Sequence, residues 1–98
     1  MGSSLKSARF LIESRLRDAA RGDANACYDL GIVYSSGAEG VDIDLVAAHK
    51  WFNIAAATGS DRAAECRAEI ADEMSAREIN EAQKAARAWL VGLQMRAA

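Results

Sequence analysis

Between Ala24 and Gly59 the chain reads ANACYDLGIVYSSGAEGVDIDLVAAHKWFNIAAATG, and its small residues recur at the spacing of helix faces on either side of a glycine-rich turn. In the first half Ala26, Leu30 and Val33 share one side, with Cys27, Gly31 and Tyr34 one step round, and Asp23 stands where an N-cap belongs. Gly31 falls inside this helix, where glycine costs about 0.8–1 kcal/mol relative to alanine. A glycine there calls for a compensating close approach, a second helix crossing where a Cβ would not fit. The second half opens at Asp44, again a good N-cap, and carries Leu45, Ala48, Trp51, Phe52, Ala55 and Ala56 on one stripe as far as Gly59. Gly37 and Gly40 between the halves allow the positive φ values of a tight reversal. The stretch is therefore a helical hairpin closed over small side chains, with the Trp51–Phe52 pair as its core rather than a stacking platform for a nucleotide.

The order Ala26, Leu30, Gly31, Tyr34, Gly37, Gly40, Val41, Asp44, Ala48, Trp51, Phe52, Ala55, Ala56, Gly59 resembles the Sel-like repeat (SLR) family, which is related to the tetratricopeptide repeats. The match departs from the family's commonest form at one point, where two residues rather than one separate Gly37 from Gly40. The resemblance implies an all-α fold, a TPR-like α/α right-handed superhelix fragment of about five helices, and a module that holds other proteins. A cysteine-rich branch of the family staples each helical pair with a disulfide and binds penicillin-like compounds. Cys27 falls at one of that branch's two cysteine positions, but the partner position is Ala56 and Cys66 is out of register. Weak penicillin-binding or hydrolase-like activity is thus a distant alternative.

The rest of the chain reads as flanking helices of one domain over 1–98. An N-terminal helix over 5–21 starts after Ser4 and puts Leu5, Ala8, Ile12, Leu16 and Ala19 on a stripe that the repeat at 24–59 is expected to cover. A degenerate second repeat over 61–74 follows Ser60, with Ala63, Cys66, Ile70 and Met74 on one face. Ser75-Ala76-Arg77-Glu78 is a capping-box sequence, so a closing helix over 76–92 follows, with Ile79, Ala82, Ala86, Trp89, Leu90 and Leu93 as its apolar side.

Hydrophobic residues make up 51% of the 98, proline is absent and aromatics reach only 6%, so glycines must end the helices and the core must form over small side chains. The net charge of −2 hides an asymmetry. Residues 1–22 carry five basic and two acidic side chains, a local +3, and the remainder is at −5, a dipole able to steer a partner or favour head-to-tail association. The basic first helix also raises nucleic-acid or membrane-surface binding, but Glu13 and Asp18 interrupt it and Phe10 is its one aromatic. No apolar run approaches the roughly 18 residues of a membrane span, and there is no signal-peptide h-region, which points to the cytoplasm.

Catalytic chemistry finds little to work with. His49 is the single histidine, without a partner at metal spacing and on the side of its helix away from the Ala48/Trp51 stripe, so it reads as a surface residue. The carboxylates of Glu69, Asp72 and Glu73 suit a wet helix face better than a metal cage. Cys27 and Cys66 lack zinc or redox spacing and read as small buried hydrophobes. No catalytic residue, cofactor or metal is assigned and no enzyme activity is expected. The function expected is a protein-interaction adaptor or scaffold for a protein or peptide partner, with a homodimeric structural or regulatory helical protein as the alternative. Helical phase points Asn25, Tyr28, Asp29 and Ile32 away from the Ala26/Leu30/Val33 side and nominates them for partner contact.

Overall fold

Helix starts are fixed by local capping. In a computed structural model, which describes residues 3–97 with side chains from 7 to 96, the Asp23 carboxylate accepts the amides of Asn25 and Ala26, Asp44 accepts Ala47 N–H at 3.0 Å, and Ser60 accepts Ala63 N–H at 3.2 Å. Ser75 and Glu78 close a reciprocal capping box, the Glu78 amide donating to Ser75 Oγ at 3.1 Å and the Ser75 amide to Glu78 Oε1 at 2.8 Å. Each pairing satisfies amides that the first turn of a helix leaves free.

Five α-helices follow among the described residues: α1 Ser3–Ala19, α2 Ala24–Ser36, α3 Leu45–Ala57, α4 Asp61–Ala71 and α5 Ala76–Ala97, with one 3-10 turn at Ala38–Gly40. No strand occurs among them, and the fold is all-α. Ser4, expected as the first cap, has a side chain outside the described residues, as has Leu5. Helix α5 continues past Gly92, its expected end. That glycine has no capping role, keeps a helical backbone and has open space at its Cβ position, so the cost is only about 1 kcal/mol of propensity. Helix α4 stops at Ala71, three residues before the end of the expected 61–74 segment.

The turn between α2 and α3 uses the left-handed region three times, at Gly37 (φ 71°), Glu39 (φ 60°) and Gly40 (φ 78°). Gly37 caps α2 by donating its amide to Val33 O, and the Asp44 amide returns to Tyr34 O at 2.9 Å, which lays the start of α3 beside the end of α2. The two helices then run antiparallel. At their crossing, a Cβ built on Gly31 would fall on the Phe52 ring, which is the close approach expected for a glycine inside a helix.

Helix α3 is the hub of the molecule. It packs on α2, α4 and α5, while α1 packs on α2 and on the 3-10 turn, and α4 also touches α2. Ala48, His49, Trp51, Phe52, Ile54 and Ala55 of α3 are all buried, so this helix is covered nearly all round. Phe52, Leu30, Ile54 and Cys27 are the largest fully buried side chains, with Ala19, Ala26, Ala63, Ala82 and Ala86 supplying the small contacts between helices. Ile12 and Leu16 of α1 pack against this core, as do Cys66, Ile70, Trp89 and Leu90. The Cα radius of gyration, 13.2 Å, is that of a folded chain of this length.

Candidate functional site

The four side chains nominated for partner contact do not form one open face. Asn25 is exposed, but Tyr28 and Ile32 are half-buried and pack against the core. The Tyr28 ring lies 5.9 Å from Phe52 at 51°, and the Arg62 guanidinium of α4 stands 5.8 Å from its centroid. Asp29 meets Arg15 of α1, Oδ2 to Nε at 2.9 Å, as an ion pair without hydrogen-bond alignment. Tyr28 and Ile32 lie at the margin of the core, because two neighbours, α1 and α4, flank α2 and cover its sides. What remains open is a shallow polar depression of about 190 Å³ lined by Arg15, Asp18, Asp23, Asn25, Ala26 and Asp29.

Replacing Tyr28 and Asp29 together by alanine is accordingly expected to lower the melting temperature. Loss of a half-buried aromatic contributes about 1–2 kcal/mol and the exposed ion pair below about 1 kcal/mol. An unchanged melting curve would place Tyr28 outside the packed set.

His49 is a correction to the reading of a surface residue. It is only 3% exposed, because the side of α3 away from α2 is itself covered by other helices. Its Nδ1 has no protein partner, and burial, followed by the Arg67 charge on α4, holds the imidazole below its ordinary pKa. Arg67 in turn donates to the Asn53 carboxamide oxygen, one helical turn beyond His49. With a folded pKa below the unfolded 6.5, the neutral imidazole contributes stability that is present above about pH 6.5 and is lost as pH falls. Folding free energy is expected to drop between pH 6.5 and 5.5 by no more than about 1.4 kcal/mol, the limit for one proton per pH unit. Denaturant titrations at the two pH values should show a slope that His49→Gln flattens, and an equal slope in the variant would remove His49 as its source.

The cysteines are both free thiols, Cys27 buried and Cys66 half-buried. Burial, with a smaller contribution from Asp23, pushes the Cys27 thiol up to about 11. Cys27 is expected to react with a thiol reagent only on unfolding, checked by mass spectrometry of native and denatured labelling. Rapid native labelling of Cys27 would contradict its placement.

On the other side of α3 the Trp51 and Trp89 rings meet edge to face, 4.9 Å apart at 74°. Lys50 extends over both, its Nζ 4.5 Å from the Trp51 centroid and 5.6 Å from that of Trp89, and burial lowers the ammonium pKa. Beyond Trp89, the end of α5 and the turn between α1 and α2 leave a cleft. One part, of about 140 Å³, is lined by Ala88, Trp89, Gly92, Leu93 and Arg96. The adjoining part, of about 350 Å³, shares Leu93 and Arg96 and adds Ala20, Arg21 and Gly22. A separate depression of about 310 Å³ lies between α3 and α5, lined by Asn53, Gln83, Arg87 and Leu90. Nothing in the local residue pattern marks the cleft, since its two walls come from opposite ends of the chain.

Among the described residues no group of three or more histidine, cysteine, aspartate or glutamate side chains is arranged to hold a metal ion, and no helix is long and apolar enough to cross a membrane. No protein-family model, curated protein or solved structure matches the chain.

Proposed function

We propose that the chain is a small helical adaptor of the Sel-like-repeat type, working in the cytoplasm and binding a protein or peptide partner on its helical surface. The observation that carries this reading is the contact pattern around α3. Successive helices α2, α3 and α4 pack on one another, and so do the alternate pairs α2 with α4 and α3 with α5. Contacts of this kind, between neighbouring and alternate helices, support a repeat-like stack, in which the outer faces stay open to partners. The Gly31–Phe52 crossing supports the same reading, because it falls where the sequence resemblance requires the two helices of a repeat to meet.

Affinity capture from the source cell with the intact chain, followed by titration calorimetry with the purified retained protein, tests the adaptor. A stoichiometric complex is expected. Retention of nothing beyond what an unrelated helical domain retains would overturn it.

A homodimer is the second reading, favoured by the large apolar side chains this small domain leaves in water: Phe10 at 73% exposed, Ile43 at 61% and Met95 at 73%. Sedimentation equilibrium from micromolar to high micromolar concentration separates the two, a constant monomer mass removing the dimer.

A further inference from the structure

We infer that the cleft between the end of α5 and the α1–α2 turn takes an acidic amphipathic segment of a partner protein, seated with its apolar side on Trp89 and Leu93 and its carboxylates on Arg21 and Arg96. The inference rests on the adaptor reading and gives that adaptor a site and a class of partner. The cleft floor is apolar, formed by Ala20, Ala88, Trp89 and Leu93. Its charged lining is all of one sign. Arg21 and Arg96 are both exposed, and among the described residues neither has a carboxylate partner and no acidic side chain lines either part of the cleft. Lys50, with its Nζ 5.6 Å from the Trp89 centroid, adds a third cation with no ion pair among the described residues.

The apolar surface continues outward. Val91, 49% exposed, and Met95, 73% exposed, follow Ala88 at i+3 and i+7 on α5, beside the Ala88/Gly92 edge of the cleft. A helix face of this kind needs an apolar counterpart, and guanidinium groups at its margin select carboxylates over ammonium groups by bidentate pairing and by the cost of opposing like charges. The excess positive charge of residues 1–22 acts in the same direction at longer range. A basic or uniformly polar segment would leave either the floor or the arginines without a complement.

The test uses the intact chain and three synthetic helical peptides: one with a leucine/phenylalanine stripe flanked by glutamates, the same peptide with lysine for glutamate, and the same peptide with alanine for the stripe. The chain has two tryptophans, and the emission of Trp89, which lines the cleft with Trp51 packed against it, reports occupancy. The acidic amphipathic peptide is expected to shift the emission and bind at least tenfold more tightly than either control, with binding weakened at least tenfold between 0.05 and 0.5 M salt. The Arg21→Glu/Arg96→Glu variant should lose that preference at an unchanged melting temperature, and Leu93→Ala should weaken binding to the acidic peptide without abolishing its preference over the lysine form. Equal binding of the lysine peptide, or undiminished binding by the arginine variant, would overturn the inference. So would binding of the wild-type chain to anionic vesicles in preference to the acidic peptide, which would make the cleft a lipid-surface contact. Capture of a cellular partner equally well by the arginine variant would overturn this site and leave the adaptor reading standing, whereas a failure of capture by the wild-type chain counts against the adaptor and not against the peptide result.

Discussion

Gly31→Leu is expected to abolish the cooperative thermal transition of this protein. The first atom of any side chain at this position would land on the Phe52 ring, and that ring is 1% exposed with Tyr28 against it, so it has no empty space to move into. Overpacking in a filled core costs about 1–3 kcal/mol and more where backbone must shift. Here α2 and α3 would have to separate along the contact that holds the hub helix. A domain of this size has a total stability of about 5–15 kcal/mol. Gly31→Ala gives the graded control, its clash offset in part by about 0.8–1 kcal/mol of helix propensity. Circular dichroism on heating is the measurement. A Gly31→Leu protein melting within a degree or two of the parent would show that the helices do not cross there.

The second large effect belongs to the other side of the same contact. Phe52→Ala is expected to cost about 3–5 kcal/mol, the range for deleting a fully buried aromatic. For a domain of about 100 residues each kcal/mol lowers the melting temperature by about 4–8 °C, so a fall of at least about 12 °C is expected. Because the two positions share one contact, their effects should not add. In the Gly31→Ala/Phe52→Ala double variant the alanine methyl enters the volume the ring has vacated, and the double variant should be more stable than the sum of the single losses by about 0.5–3 kcal/mol. Denaturant midpoints of the four proteins provide the cycle. Strict additivity would mean that Phe52 and Gly31 are buried against different neighbours.

Both predictions start from residues whose roles were readable in the chain. A glycine inside an otherwise good helix is costly unless something needs the space, and an aromatic on an alanine-rich stripe at helical spacing has a core to fill. The caps at Asp23, Asp44, Ser60 and Ser75 were equally legible, since each interaction spans two or three residues and depends on little beyond them. The antiparallel α2–α3 hairpin follows from these local features together with the turn glycines.

Tertiary packing decided what the periodicity left open. Helical phase assigns a residue to a side of its own helix, but whether that side is wet depends on how many neighbours arrive. His49 stands away from the aromatic stripe and is nevertheless buried, because α3 is packed by three helices rather than one. Tyr28 and Ile32 point away from Leu30 and are half-covered, because α1 and α4 close over the margins of α2. Helix α5 passes Gly92 because nothing in the fold asks the chain to turn there, and its extra turn carries Arg96 to the cleft. The starts of the four later helices, the residues of the hairpin core and the all-α class were legible in the chain, since those depend on interactions within a few residues or on one periodic stripe. Which polar side chains are buried, and that Arg21 and Gly22 stand beside Leu93 and Arg96, follows from the stacking of whole helices, which leaves no local trace in the residues that take part.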